Sequence, residues 1–340
     1  MDRPPRAGRG FVFYDSRGRL VTDKIEKTLI LMNSHSNICA IVVTYHPDLL
    51  ALESLLAALA GQVAVTVIAD NGSSPDCTDW IRSQAGVVPL LLGKNLGVAE
   101  AHNHAIRWAK ANGFTHVALF DQDSLPAPDM IGQLLAGEEV LSSRGERVAA
   151  VGPRYFDPRH LRPAPFIRLD GLKINRIYCT ETEDRPGLHR ADYLITSGTL
   201  IRLSVLDAVG LLDAALFIDY VDIEWGLRAK SMGYRCFGVC AAQMRHSLGD
   251  RAVFWRGGKR IIPVHSPLRN YYLFRNAILL YRRSYISLVW ALNDAYRLLL
   301  KYGFYSLVTS PRLLNFKMMT LGLWHGLRGF GGEFPNRSKS

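Results

Sequence analysis

No segment of this sequence reads as a membrane span. The apolar stretch Ser54–Ala69 is broken by Gly61-Gln62 and reads as a helix turning into a strand. In the apolar part of the tail, Ser284–Ser310, the longest uncharged run is Ser284 to Asn293, well short of the ~20 residues a helix needs to cross a bilayer. The start, Met1-Asp-Arg-Pro-Pro-Arg, lacks the apolar centre of a secretory signal. Cysteine is scarce and odd in number: Cys39, Cys77, Cys179, Cys236 and Cys240, irregularly spaced. That pattern argues for reduced thiols in a cytoplasm and against a disulfide framework. Cys236, Cys240 and His246 also lack an established zinc spacing. The first strand is followed by Thr44-Tyr45-His46-Pro47, where a dinucleotide-binding dehydrogenase would carry Gly-x-Gly-x-x-Gly and a nucleotidyltransferase a Gly-rich basic loop. Acids are nearly absent from the end of the chain. Residues 245–340 hold 16 Lys and Arg against Asp250, Asp294 and Glu333, so the net charge of +11 resides there. Such asymmetry points to an anionic partner: membrane lipid, nucleic acid or a phosphorylated substrate.

What is present is a globular composition, 48% hydrophobic and 21% charged. Residues 1–36, rich in Arg, Gly and Ser, stand apart as an extension, a disordered arm or an artefact of a start at Met32. From Ile38 the pattern alternates strand and helix. Buried β-branched runs occur at Ile38–Tyr45, Val63–Ala69, Val88–Leu92, His116–Phe120 and Val148–Val151. Helical spacing separates them, notably over Gly97–Asn112 and Asp129–Ser142. This rhythm predicts a mostly parallel sheet with helices on both faces. Residues 153–191 read as a long insertion or loop. A strand over Tyr193–Ile201, a helix over Asp222–Met232 and a strand over Arg235–Val239 follow. The tail beyond Arg269 is helical, with Val289, Leu292, Tyr296 and Leu299 forming an apolar stripe.

Ligands of such sheets bind beyond the carboxyl ends of the strands. That rule selects Thr44-Tyr45, Asp70-Asn71 and Asp121-Gln122-Asp123. Two carboxylates two apart can converge on Mg2+ or Mn2+, whose remaining ligands are commonly phosphates; a solvated helix-capping turn is the alternative. Asp70 could accept an imide N–H of a nucleobase or simply build an Asp-Asn-Gly turn. Asn95-Leu96-Gly97 could start a helix or present N–H groups to phosphate. Asp219, Asp222 and Glu224 stand at a helix start, where acids cap backbone N–H groups or serve as a base.

In order and spacing, VTYHP (43–47), ADNGS (69–73), NLGVAEAHN (95–103), FDQDS (120–124), ITSGTLI (195–201), LFIDYVDIEWGLRAKSMGY (216–234), RHSLGD (245–250) and HSPLRNYYLFRN (265–276) resemble glycosyltransferase family 2, in its bacterial dTDP-rhamnosyltransferase branch. The resemblance implies a GT-A fold over 37–265, with a nucleotide-sugar half at 37–152 and an acceptor half at 153–265, then a basic amphipathic tail at 266–340. It implies inverting transfer of L-rhamnose from a dTDP-sugar donor, with Asp222 as base. Thr44, Tyr45, Asp70, Asn95, Asp121, Gln122, Ser197 and Gly198 would contact nucleotide-sugar. Asp121, Asp123 and His246 would hold Mg2+ or Mn2+, and Glu224, Trp225, Arg269 and Arg275 would meet acceptor or diphosphate. The implied acceptor is a saccharide on a polyprenyl-diphosphate carrier, used for cell-surface polysaccharide such as O-antigen. The implied place is cytoplasmic, peripheral on the inner membrane, with Arg269, Arg275, Arg282 and Arg283 among Tyr271, Tyr272 and Tyr281 at lipid head groups. Apolar stripes suit a membrane better than nucleic acid, which is not an expected partner.

Overall fold

The computed structural model describes residues 37–157, 163–179, 187–246, 251–255 and 260–335. The leader 1–36 and the end of the RHSLGD motif lie outside them. Four parallel strands form one side of the central sheet: β1 (Ile38–Thr44), β2 (Val65–Asp70), β3 (Val87–Leu91) and β4 (His116–Asp121). Strand β1 is wholly buried, and its alternate residues supply two cores. Ile38, Ala40 and Val42 pack with Leu52, Leu55 and Leu59 of α1 (Leu49–Leu59) and with Leu134 of α4 (Met130–Ser143). Cys39, Ile41 and Val43 pack with Ala101 and Ala105 of α3 (Val98–Ala111). A strand covered on both faces needs an unbroken apolar run, which is what ICAIVVT is. Helix α2 (Pro75–Ser83) was not anticipated; its mean hydropathy is low and it buries only Ile81.

Beyond β4 the sheet changes direction. The order is β3-β2-β1-β4-β10-β6-β11-β5, with β5 Leu125–Pro126, β6 Val148–Phe156, β10 Thr199–Arg202 and β11 Arg235–Arg245. Strand β10 runs antiparallel between β4 and β6, whereas β6 and β11 are parallel. The expected strand over Tyr193–Ile201 shrinks to β10 because Gly198, at φ +79°, turns the chain just before it. Strand β11 outruns the expected Arg235–Val239, passing an irregularity between Val239 and Gln243 to reach β5. The region 153–191 is more ordered than a loop: β7 (Phe166–Asp170) and β8 (Lys173–Ile177) form a hairpin, and β9 (Leu188–Ala191) pairs with β11.

One expectation is overturned for a single pair of cysteines, while Cys39, Cys77 and Cys236 remain free thiols. Cys179 and Cys240 form a disulfide with Cα atoms 5.7 Å apart, tying the end of the hairpin to β11. An odd count of cysteines does not forbid one pair, and a separation of 61 residues hides the proximity that β9–β11 pairing creates.

The short ribbon β12 (Arg251–Trp255) and β13 (Arg260–Val264) leads to three helices, α7 (Pro267–Tyr281), α8 (Leu288–Leu307) and α9 (Arg312–Leu327). Helices α7 and α9 approach so closely that a Cβ on Gly326 would lie 2.7 Å from the Arg275 carbonyl oxygen. Among the described residues no helix is long and apolar enough to cross a membrane. Helix α8 turns Trp290, Leu298 and Tyr305 inward, and leaves Leu288, Leu292, Tyr296 and Leu299 each more than 60% exposed. Of the apolar stripe read from the sequence, Leu292, Tyr296 and Leu299 therefore face out, and Val289 is half-buried.

Candidate active site

The carboxyl ends of β1, β2 and β4 open on one mouth of the sheet. Thr44 donates to Asp70 Oδ1 (3.0 Å), and Asp70 Oδ2 accepts the N–H groups of Gly72 (3.2 Å) and Ser73 (2.9 Å). Both residues are buried, so this pair shapes the floor, while Tyr45 stands half exposed above it. Gly72 has no room for a side chain: a Cβ there would lie 2.7 Å from the Lys94 backbone. Asn95 Oδ1 accepts from Asn71 Nδ2 (3.0 Å) and from Gly97 N–H (2.9 Å), which locks the β2 turn to the start of α3. Asn95 is thus engaged in the turn. Gln122 is likewise committed: its Oε1 accepts the Tyr45 N–H (2.8 Å) and its Nε2 donates to the Tyr45 carbonyl (3.4 Å). It holds the Tyr45 backbone to the β4 end rather than reaching outward as a ribose contact would.

Asp121 and Asp123 project from the turn after β4, their side chains 39% and 49% exposed. His246, nearly buried, arrives from the far side of the sheet because Met244 and Arg245 pair with Pro126 and Leu125 of β5. One ligand atom from each of Asp121, Asp123 and His246 lies within 4.8 Å of the others. His246 Nε2 is 3.6 Å from Asp121 Oδ2. Its Nδ1 is 3.0 Å from the Ser124 hydroxyl, which in turn bonds to Ser197, whose Oγ accepts the Asp121 N–H (3.1 Å). With Nδ1–H donated to Ser124, Nε2 presents its lone pair on the Asp121 side, the tautomer a metal-binding histidine requires, while Asp123 Oδ1 lies 3.5 Å from Nδ1. Two carboxylates and one imidazole suit Mn2+ or Mg2+ as a donor set. Ser197 supports this turn from beneath and Gly198 donates to the Leu119 carbonyl (2.7 Å); neither faces the mouth as the nucleotide contact expected of it.

After the short helix α5 (Leu203–Val209), Asp222 lies in the first turn of helix α6 (Val221–Ser231) and accepts the Ile223 N–H (2.8 Å). Burial chiefly, with Asp121 and Asp219 adding like charge, pushes its carboxyl up to about 6 against that backbone bond. Desolvation by the surrounding walls likewise raises Asp121, although its side chain is partly open to the mouth; Asp123 adds to this, while His246 and Arg269 oppose. The two acids thus share one electrostatic neighbourhood. A cavity of about 100 Å3 lined by Tyr155, Phe166, Tyr193 and Thr199 lies beside them, and both tyrosines feel the Asp222 charge.

The loop that delivers Asp222 is strained: Phe217, Asp219 and Tyr220 all have φ between +63° and +65°. Helix α7 holds it there. Asn276 Nδ2 donates to the carbonyls of Leu216, Ile218 and Asp219 at 2.8, 2.7 and 2.9 Å. Arg275 adds bonds to the Ala215, Leu216 and Gly332 carbonyls and to Asn276 Oδ1. Arg275 is fully buried, so it is no ligand for diphosphate or lipid. Tyr271 and Tyr272 are buried beside it, Arg283 pairs with Asp213, and Arg282 donates to the Leu327 carbonyl (3.0 Å). The basic-aromatic head-group surface expected of α7 is therefore an internal scaffold. Arg269 does reach the mouth, bonded to Asp219 at 3.2 Å and acting on Asp121. Glu224 does not: it is 1% exposed, ion-paired to Arg228 (2.8 Å) and bonded to Tyr285. Trp225 donates to the Gly210 carbonyl (2.9 Å) and shows only its ring to the space beside Asp222. Asn276 escaped the sequence reading, although it ends the HSPLRNYYLFRN motif.

Residues 39–210 match the family model "Glycosyl transferase family 2". Over 300 residues, 88% of this chain and 98% of the relative, the sequence is 32% identical to "dTDP-rhamnosyl transferase RfbF" of Shigella flexneri. Among solved structures, S. aureus TarS 1-349 in complex with UDP aligns with a TM-score of 0.52 and 13% identity, over 89% of this chain and 94% of that one. GalNAc-T7 with UDP, GalNAc and Mn2+ aligns with a TM-score of 0.54 and 12% identity, over 86% of this chain. The chain spans 56% of the length of that structure. These likenesses give the GT-A fold. With the site at the strand ends and the match over half its length, the chain belongs to glycosyltransferase family 2.

Proposed function

We propose that the enzyme is an inverting transferase that moves L-rhamnose from dTDP-L-rhamnose to a saccharide on a polyprenyl-diphosphate carrier, at the cytoplasmic face of the inner membrane, in cell-surface polysaccharide synthesis. The observation that carries the transfer chemistry is the convergence of Asp121, Asp123 and His246 within 4.8 Å beside Asp222. The donor rests on the similarity to a dTDP-rhamnosyl transferase over nearly the whole of that relative.

In this reading Tyr45 stacks on the base above the Thr44–Asp70 floor. Asp121, Asp123 and His246 would hold Mn2+ or Mg2+, which supplies positive charge to the departing diphosphate. A carboxyl with pKa about 6 is mostly ionised at neutral pH and still basic enough to accept a proton as it is released. Asp222 takes the acceptor hydroxyl proton while that oxygen bonds to the anomeric carbon. The bond to the diphosphate oxygen breaks, and dTDP leaves with the electron pair. The α7 clamp matters because a displaced Asp222 loses the hydrogen-bond reach that proton transfer demands. The outward leucines of α8 support peripheral membrane contact, since an exposed apolar face of this size is otherwise a liability in water.

The test is Asp222→Asn, measured for donor binding by calorimetry and for transfer with dTDP-rhamnose, UDP-sugars and GDP-sugars. The variant should bind dTDP-rhamnose as the wild type does and transfer at least a hundredfold more slowly. Near-normal turnover would remove the base assignment. Preference of the wild type for a UDP- or GDP-sugar would remove the donor assignment.

A further inference from the structure

The cavity of about 100 Å3 beside Asp222 is built from three segments. Pro153 and Tyr155, two apart on β6, leave the same face of that strand. Phe166 and Ile167 come from β7, and Ile167 pairs with Tyr193 in a single antiparallel bridge that brings Tyr193 to the same space. Tyr155 reaches the metal side: its ring stands edge-on to the His246 imidazole, with centroids 6.2 Å apart. Tyr193 reaches the base. Gly226 follows Asp222 by four positions on α6, one turn along the same face, and a Cβ on Gly226 would lie 2.6 Å from the Tyr193 Cβ. Only glycine lets Tyr193 come this close to the helix. A second, smaller cavity, lined by Asp222, Trp225 and Gly226, shares Leu194, Ile195 and Thr199 with the first as walls. The larger cavity therefore adjoins both groups that the transfer uses, through Tyr155 on one side and Tyr193 on the other.

Its chemistry is one-sided. No residue lining it is charged, and most of its wall is proline, phenylalanine, isoleucine and leucine. Side-chain polarity comes from Thr199 and the two phenols. Thr199 is committed, donating to the Ile195 carbonyl. Neither phenol oxygen has a hydrogen-bond partner among the described residues. Desolvation by the surrounding walls, above all, keeps both phenols protonated at neutral pH. Two neutral O–H groups in an aromatic pocket suit a ligand with hydroxyls on a carbon ring. A carboxylate or phosphate would be desolvated there without a counter-ion. The volume holds several water-sized groups, the scale of one sugar ring rather than an oligosaccharide. Position selects which sugar. A base must reach the hydroxyl it deprotonates, so the ring beside Asp222 is the acceptor's.

We propose that Tyr155 and Tyr193 hold the acceptor's terminal sugar, a neutral pyranose, in this cavity, their rings against its C–H face and their phenol oxygens on its hydroxyls. The inference rests on the transferase reading above and gives its acceptor a chemical class and two binding residues. The donor also carries a sugar, so the test separates the two. The full chain with Mg2+ and dTDP-rhamnose is offered p-nitrophenyl glycosides of rhamnose, galactose, N-acetylglucosamine and glucuronic acid, and KM is measured for donor and acceptor. At least one neutral glycoside should accept, with the glucuronide poorer by about tenfold or more in kcat/KM. Tyr155→Phe and Tyr193→Phe should each raise the KM of the best neutral glycoside about fivefold, the size of one neutral hydrogen bond. Tyr193→Leu, which also removes the ring, should raise it by about twentyfold or more. The KM for dTDP-rhamnose and the affinity for dTDP should stay at wild-type values in all three, which also reports an intact fold. Unchanged acceptor KM in Tyr193→Leu, or in both Phe variants, overturns the pocket. So does a glucuronide used as well as the neutral glycosides, or transfer to none of these. A raised donor KM with unchanged acceptor KM assigns the cavity to the donor's sugar and overturns it as well. Wild type that binds no dTDP refutes the transferase reading itself, and this inference falls with it.

Discussion

Replacing Arg275 with methionine separates a scaffold from a ligand contact. The guanidinium is wholly buried and bonds to three carbonyls and to Asn276 Oδ1. Two of those carbonyls keep a partner without it: Leu216 retains Asn276 Nδ2, and Ala215 retains the Gly332 N–H. The Gly332 carbonyl and Asn276 Oδ1 lose their bond to Arg275 with no replacement among the described contacts. Each stranded acceptor costs about 1–3 kcal/mol, and methionine preserves most of the stem packing. The stacking of the guanidinium on Tyr272, 4.8 Å from its centroid, adds up to about 1 kcal/mol. Relief from burying a charge offsets part of this, leaving a loss of about 3 kcal/mol. Urea denaturation followed by tryptophan fluorescence should show a lower midpoint. Transfer, measured below that midpoint, should lose kcat through displaced Asp222 while the KM for a diphosphate-linked acceptor stays near wild type. A variant as stable as wild type with a raised acceptor KM would refute the reasoning and return Arg275 to the ligand.

Three further outcomes are expected. Because Asp222 titrates near 6, kcat/KM should be flat above neutrality and fall about tenfold per pH unit below that value. A cation at Asp121 would neutralise a charge that raises Asp222, so the limb of the metal-loaded enzyme should lie at or below 6; a limb that persists in Asp222→Asn would contradict this. Leu292→Glu with Leu299→Glu, both on the exposed face of α8, should reduce flotation with anionic vesicles at least tenfold while sparing dTDP binding; unchanged flotation would count against membrane contact. Cys240→Ser opens a 61-residue loop and should lower unfolding stability by up to about 4 kcal/mol, an effect that dithiothreitol reproduces in wild type but not in the variant.

The parallel half of the fold was legible because β1, β2 and β4 are buried on both faces and so read as uninterrupted β-branched runs. The acids at their ends were legible for the same reason, since the strand ends locate the mouth. A strand ending near Ile201 was legible too, but its antiparallel direction was not, because four residues carry no period that distinguishes the two directions. The disulfide depends on β9 lying against β11, a pairing between segments with no local signature. Arginine roles were the least legible. Arg275 and Arg297 look alike in a basic, aromatic-rich tail, yet one is sealed among carbonyls and the other is exposed on α8. The apolar stripe of α8 was visible in the sequence, but periodicity alone cannot say whether a stripe faces core or lipid.

The central claim is that acids from separate segments gather one divalent ion that holds the donor's diphosphate. Calorimetry of dTDP binding with Mg2+, Mn2+ or EDTA, in wild type and Asp123→Ala, addresses it most directly. Wild-type affinity should rise at least tenfold with either metal, and the variant should bind dTDP equally with metal or chelator. Wild-type binding indifferent to EDTA, or a full metal effect surviving in Asp123→Ala, would contradict the account.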